Sequence, residues 1–89
     1  MMPHKTYVVG LTAKAEKVFK QLSRENQIRI SKALLQLKTN PRPTGIKKME
    51  GYTHIYRIRV GDWRVLYEFD LAVNRIDLLT VRHRSEVYR

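Results

Sequence analysis

Twelve consecutive residues, Tyr56-Arg57-Ile58-Arg59-Val60-Gly61-Asp62-Trp63-Arg64-Val65-Leu66-Tyr67, constrain this chain more than any others. Two runs of β-branched and aromatic residues meet at Gly61-Asp62, the signature of a β-hairpin with a two-residue turn. Side chains alternate across a strand, so Arg57 and Arg59 leave on one face while Tyr56, Ile58 and Val60 leave on the other. On the return strand Trp63, Val65, Tyr67 and Phe69 form the apolar face, and Arg64, Leu66 and Glu68 form its opposite. One face of a small sheet therefore carries three guanidinium groups. Each offers a planar fork of donors and stays charged, which suits phosphate. An isolated arginine pair on one strand is more often simply solvated, so this face alone decides nothing.

The bulk charge sharpens the reading. Eighteen Lys and Arg stand against eight Asp and Glu, a formal net charge of +10 on 89 residues. A small domain so charged implies a polyanionic partner: nucleic acid, an acidic protein or a membrane surface. Residues 1–44 carry nine basic and two acidic side chains (net +7), and residues 45–89 carry nine basic and six acidic (net +3). The first half is a broad electrostatic attractor, and the second holds its arginines at alternating positions. The length fits one domain, residues 1–89, burying about 60–65% of the surface its unfolded form exposes. A hydrophobic content of 43% with five Tyr argues for a folded globule. Cysteine is absent, which excludes a disulfide scaffold and a thiolate metal site and is compatible with a reducing cytosol. No signal peptide is expected, since the residues after Met1 turn polar at once, and no apolar run approaches a membrane span.

In chain order, Lys5 to Leu11 reads as a first strand. Thr12 is placed to cap a helix over about 13–22, where Ala15, Val18, Phe19 and Leu22 form one apolar stripe and Lys14, Lys17 and Lys20 face solvent. Ser23 is placed to cap a second helix, with Glu25 in its first turn. Ile30, Ala33, Leu34 and Leu37 carry its stripe, and Ile28 and Leu35 are expected to widen it. Asn40-Pro41-Arg42-Pro43-Thr44-Gly45 ends the helix, because a residue before proline resists the α region. Ile46 to Glu50 reads as a short extended piece. The hairpin occupies roughly 54–61 and 63–70, and Leu71-Ala72-Val73-Asn74 is a turn. Arg75 to His83 is a last strand, too apolar to show which parity faces the helices. The fold class is α+β: an N-terminal strand, a helical hairpin, then an antiparallel β-meander, with the helices packed on one face of the sheet.

These residues resemble a known family. The hairpin from Tyr56 to Tyr67 is similar to the signature of the RelE/ParE superfamily of bacterial and archaeal toxins. Val81-Arg82-His83-Arg84-Ser85-Glu86-Val87-Tyr88 is similar to its C-terminal motif. The Asn40-Pro41-Arg42-Pro43 break and the element order agree, so the resemblance covers nearly the whole chain. RelE-like members cut messenger RNA in the ribosomal A site; ParE-like members share the fold and poison DNA gyrase. The Ser85-Glu86-Val87-Tyr88 ending and the arginine set favour the RelE side. The resemblance implies a RelE-like microbial ribonuclease fold and the toxin of a type II toxin–antitoxin system, resident in the cytoplasm. The expected activity is a metal-independent mRNA interferase in which the ribose 2′-hydroxyl attacks the adjacent phosphate, leaving a 2′,3′-cyclic phosphate and a 5′-hydroxyl. No cofactor is implied. Its expected partners are a cognate RelB-like antitoxin, in a hetero-oligomeric complex, and the ribosome with its mRNA; no membrane is involved.

The resemblance also carries roles. Arg64 would clamp the scissile phosphate, Arg57 and Arg59 would stabilise charge near the nucleophile, Arg82 would sit beside the leaving oxygen, and Tyr88 would stack on or orient the nucleotide. The best-known RelE-type proteins carry lysines where this chain has Arg57 and Arg59. A lysine can act as a base when cationic neighbours depress its pKa; an arginine cannot. The general base is therefore open among His83, Tyr88 and ribosomal RNA. Imidazole suits proton transfer, although a lone histidine near a strand end is more often structural. Glu68 can serve as a base, but neutralising Arg57 or Arg64 is the expected role. Trp63 shares parity with Val65, Tyr67 and Phe69 and is expected to anchor the core. His4, His54 and His83 lack metal-ligand spacing, which argues against zinc, and no Gly-rich phosphate loop occurs. Three rivals stand beside the interferase: a gyrase poison on the same scaffold, a non-catalytic basic RNA-binding module, and a toxin silenced by its arginine-for-lysine changes.

Overall fold

Alternation of apolar and charged residues in the second half of the chain builds a sheet, and the two apolar helical stripes of the first half cover one side of it. The computed structural model describes residues 7–43, 46–70 and 72–87, with backbone only for residues 86 and 87. The elements are β1 (Val8–Leu11), α1 (Ala13–Gln21), α2 (Arg24–Thr39), β2 (Lys47–Lys48), β3 (Ile55–Val60), β4 (Trp63–Asp70), β5 (Arg75–His83) and α3 (Arg84–Val87). The sheet order is β1-β5-β4-β3-β2. β2 through β5 pair antiparallel as a meander, while β1 joins β5 in parallel, so the sheet is mixed. Lys5 and Thr6, expected in the first strand, lie outside the described residues, as do Thr44, Gly45, Leu71 and Tyr88. No helix among the described residues is long and apolar enough to cross a membrane.

Caps set the helix boundaries. Thr12 Oγ1 accepts from the Ala15 N–H at 3.2 Å and donates to the Leu79 carbonyl at 2.9 Å, joining the start of α1 to β5. Ser23 Oγ accepts from the Asn26 N–H at the start of α2. Gln27 Nε2 donates to the Phe19 carbonyl, an acceptor the end of α1 leaves open, and so ties the two helices together. Ala15, Ile30 and Leu37 are fully buried against Val65, Tyr67, Ile76 and Leu78 of the sheet. Ile28 and Leu35 do not widen the α2 stripe as expected; they are 47% and 63% exposed. At about 100° per residue they fall roughly 150° around the helix from Ile30, on its far side.

Tyr67 anchors the centre. It is fully buried, its hydroxyl donates to the Pro41 carbonyl at 2.7 Å, and its ring stacks on Tyr56 at 5.8 Å. The proline-rich break after α2 is thus fastened to the core. Arg42 from that break lies over the rings of Tyr56 and Phe69, 6.0 and 5.7 Å from their centroids. The β3–β4 turn takes its positive φ (+60°) at Gly61, the form of two-residue hairpin turn with glycine at its first central position.

One irregularity decides where the last strand points. Leu66 pairs with Thr80 but Tyr67 pairs with Leu78, so Leu79 is an extra residue, a β-bulge. Before it, Ile76 and Leu78 face the helices beside Phe69 and Tyr67; after it, Val81 and His83 do so beside Val65 and Trp63. The parity of β5 could not be read from the sequence because it changes half-way along.

Candidate functional site on the arginine face

The register brings three arginines side by side. Arg59 of β3 lies opposite Arg64 of β4, which lies opposite Arg82 of β5. Directly opposed side chains on one face have their Cβ atoms about 4.5–5.5 Å apart, so three positive charges form a row across the sheet. The neighbouring row runs Lys47, Arg57, Leu66, Thr80. Without the bulge at Leu79, Arg82 would share a face with Ile76 and Leu78; the extra residue turns it to join Arg64.

Two adjoining clefts open on this face. One, about 510 Å³, is lined by Arg59, Arg64, Arg84 and Ser85; the other, about 240 Å³, by Lys47, Arg57, Arg59 and Arg64. Arg59 and Arg64 line both, so they form the wall between the two spaces. Arg59 is held by its own turn, its Nε donating to the Gly61 carbonyl at 3.0 Å. Two acids of the strands are engaged elsewhere, Asp70 with His54 at 3.9 Å and Asp77 with Arg75 at 2.8 Å, while Asp62 of the β3–β4 turn faces Arg84, a residue of the larger cleft, at 3.8 Å. Among the described residues Arg57, Arg59 and Arg82 make no ion pair. Glu68 does not neutralise Arg57 as expected. It stands opposite Ile55 and Asp77, four residues and about 13 Å along the strand from Arg64. Like charges directly opposed cost a sheet about 0.2–1 kcal/mol per pair, and a bound phosphate would relieve that cost.

The structure therefore gathers Arg57, Arg59, Arg64 and Arg82 on one face. His83 is placed differently: it pairs in register with Trp63, on the helix side, and its ring meets Trp63 edge-on at 5.1 Å. Trp63 itself is partly buried and packs against the core. Tyr88 lies outside the described residues. Sequence reasoning missed Lys47, Arg84 and Ser85 as lining residues. Lys47 belongs to a two-residue strand that periodicity cannot detect. Arg84 and Ser85 were visible only as part of a motif, and folding brings them back over the sheet: the Arg84 N–H donates to the Asp62 carbonyl at 2.8 Å.

This geometry can be set beside known proteins. The sequence profile of the family described as ParE toxin of type II toxin-antitoxin system, parDE, matches residues 9–88. The chain belongs to this ParE toxin family. It therefore falls within the RelE/ParE superfamily and is a type II toxin, as the hairpin and C-terminal motifs led us to expect. Among solved structures, RelE of the archaeal RelE–RelB complex from Pyrococcus horikoshii OT3 superposes on the toxin with a TM-score of 0.80 at 27% identity, covering 89% of this chain and 96% of that one. The RelB–RelE complex from Methanococcus jannaschii gives a TM-score of 0.71 at 26% identity, covering 88% and 93%. The isolated Escherichia coli RelE toxin shares the fold with a TM-score of 0.77 at 23% identity, covering 92% and 90%. Comparison with curated proteins gives no significant match. The α+β layout of the toxin, two helices on one face of a five-stranded sheet, is thus that of RelE toxins.

Proposed function

We propose that this ParE-family toxin is a RelE-type, ribosome-dependent endoribonuclease that cuts mRNA in the A site by attack of a ribose 2′-hydroxyl on the adjacent phosphate. The row Arg59–Arg64–Arg82 carries the reading. A phosphoryl group under attack gains negative charge on its oxygens, and fixed cationic donors at that point stabilise the transition state more than the ground state. Arg64, in the middle of the row, clamps the scissile phosphate. Arg59, with Arg57 one row away, stabilises charge near the nucleophile. Arg82 lies on the opposite side of Arg64, where the 5′-oxygen leaves. Tyr88 orients the nucleotide. The substrate supplies its own nucleophile and the guanidinium groups supply the charge, so this route calls for no metal.

The likeness to RelE proteins from RelE–RelB complexes supports a RelB-like antitoxin as partner. The toxin's net charge of +10 suits both an acidic antitoxin and ribosomal RNA. The test is a cell-free translation reaction with the purified toxin: cut message carrying 2′,3′-cyclic phosphate ends is expected, and Arg57→Ala with Arg64→Ala abolishes it. A double variant that cleaves at the wild-type rate refutes the assignment. The family description, ParE, favours a second reading, poisoning of DNA gyrase. Intact message together with accumulated gyrase–DNA cleavage complexes would establish that reading instead.

A further inference from the structure

An arginine row stabilises charge but accepts no proton, so the 2′-hydroxyl needs a base that the row does not contain. His83 is the nearest imidazole in sequence, yet its ring lies on the helix side beside Trp63. Ser85 spans the gap. Its Oγ is 2.9 Å from His83 Nδ1, and the same residue lines the 510 Å³ cleft with Arg59, Arg64 and Arg84. The Ser85 backbone N–H also donates to His83 Nδ1 at 3.3 Å. A nitrogen that accepts a backbone N–H carries no proton of its own, so the neutral ring has its hydrogen on Nε2 and Nδ1 faces the serine hydroxyl as acceptor. The arrangement is fixed at both ends: the Arg84 N–H is bound to the Asp62 carbonyl, its guanidinium faces the Asp62 carboxylate at 3.8 Å, and the His83 ring is held edge-on to Trp63.

We infer that Ser85 and His83 form a proton relay into the arginine cleft, with Ser85 as a catalytic residue touching the ribose and His83 as a positioning residue acting through it. The inference rests on the endoribonuclease reading above. As the 2′-oxygen forms its bond to phosphorus, its proton passes to Ser85 Oγ while the Ser85 hydroxyl proton passes to His83 Nδ1, whose longer bond from the Ser85 backbone N–H is given up as the nitrogen takes the proton. The P–O5′ bond breaks with its electron pair on the 5′-oxygen, which takes a proton from water, and the imidazolium returns its proton to the hydroxide so formed. Nothing is oxidised or reduced, and the serine ends as it began. The relay accounts for a toxin that can dispense with lysines at positions 57 and 59. The charged groups that share the cleft with Ser85 are Arg59 of β3, Arg64 of β4 and Arg84 of α3, with Asp62 of the β3–β4 turn facing Arg84.

The experiment measures cleavage of mRNA on programmed ribosomes, as kcat/KM against pH, for wild type, Ser85→Ala, Ser85→Thr and His83→Gln, with circular dichroism melting as the fold control. Ser85→Ala should fall about 10²-fold or more, and Ser85→Thr, which keeps the hydroxyl, should recover most of that loss. His83→Gln keeps an acceptor for the serine but takes no proton, so its rate should fall and the acid limb of the pH profile should flatten. If wild type cleaves and Ser85→Ala matches it, or if His83→Gln keeps the acid limb, the relay is overturned and the endoribonuclease stands. A wild type that leaves message intact overturns both.

Discussion

Residues on the two faces of this sheet are under opposite demands, and two of them show it. Arg82 sits in a row of like charges with no ion pair among the described residues, a placement that costs the fold and suits a bound anion. Arg82→Gln should lower cleavage about 10²-fold while removing a repulsion of roughly 0.2–1 kcal/mol. The melting midpoint should hold or rise by a few degrees; a fall of several degrees would mean that the row supports the sheet. Tyr67 is the reverse case, wholly structural. Burial, and secondarily the neighbouring Tyr56, pushes its pKa up to about 12, with Arg42 acting weakly the other way. The folded value lies above the unfolded one near 10. The phenol therefore contributes fully below pH 10, and its contribution is lost as pH rises through about 12, on the order of 2–3 kcal/mol in all. Tyr67→Phe should cost about 1 kcal/mol at neutral pH by orphaning the Pro41 carbonyl. It should also lose less stability than wild type between pH 10 and 12. Urea unfolding at both ends of that window checks the pair.

At the scale of elements, helix α1 and strand β5 meet at the bulge, and that joint sets the site. Thr12 caps α1 and also donates to the Leu79 carbonyl, whereas Ser23 only caps α2, at an exposed position. Thr12→Ala should therefore cost about 2 kcal/mol and Ser23→Ala under about 1 kcal/mol; equal losses in denaturant titrations would deny the joint any special role. The helices, their caps and the hairpin were legible because each obeys a local rule: a 3.6-residue stripe after Thr12 or Ser23, and a two-residue period around Gly61-Asp62. The strand Arg75–His83 was legible in extent but not in facing, since its period is broken at Leu79 and no single parity fits both halves. The site followed the same division. Arg57, Arg59 and Arg64 declare a common face by alternation within one hairpin. Arg82 joins them only through a non-local register, and Ser85 only through a turn that folds back on Asp62. Ile28 and Leu35 misled for the opposite reason: they are apolar, but their angle on α2 carries them away from the sheet.

For the whole molecule, the charge divides by side. The arginine row and Lys47 occupy the open face of the sheet, while Lys14, Lys17 and Lys20 are exposed on α1, which packs on the opposite face. The α1 lysines are too far from the row to touch a phosphate held there, so they can act on encounter with a polyanion but not on the chemical step. Each cation that meets a phosphate adds about 0.7–0.9 to the slope of log affinity against log salt, and long-range attraction is screened over about 10 Å at 0.1 M. Raising monovalent salt from 50 to 200 mM should thus depress kcat/KM for ribosome-bound message steeply and leave kcat at saturation nearly level. Exchanging Lys14, Lys17 and Lys20 together for Gln should lower kcat/KM at low salt and shallow its salt dependence by up to about two in slope, with kcat retained. Losing the Arg59 guanidinium should do the contrary, cutting kcat at every salt concentration, because the proposed mechanism has that group act after association is complete. If the lysine variant instead loses kcat, the helical side touches the reacting message, and attraction and catalysis are not divided between the two faces.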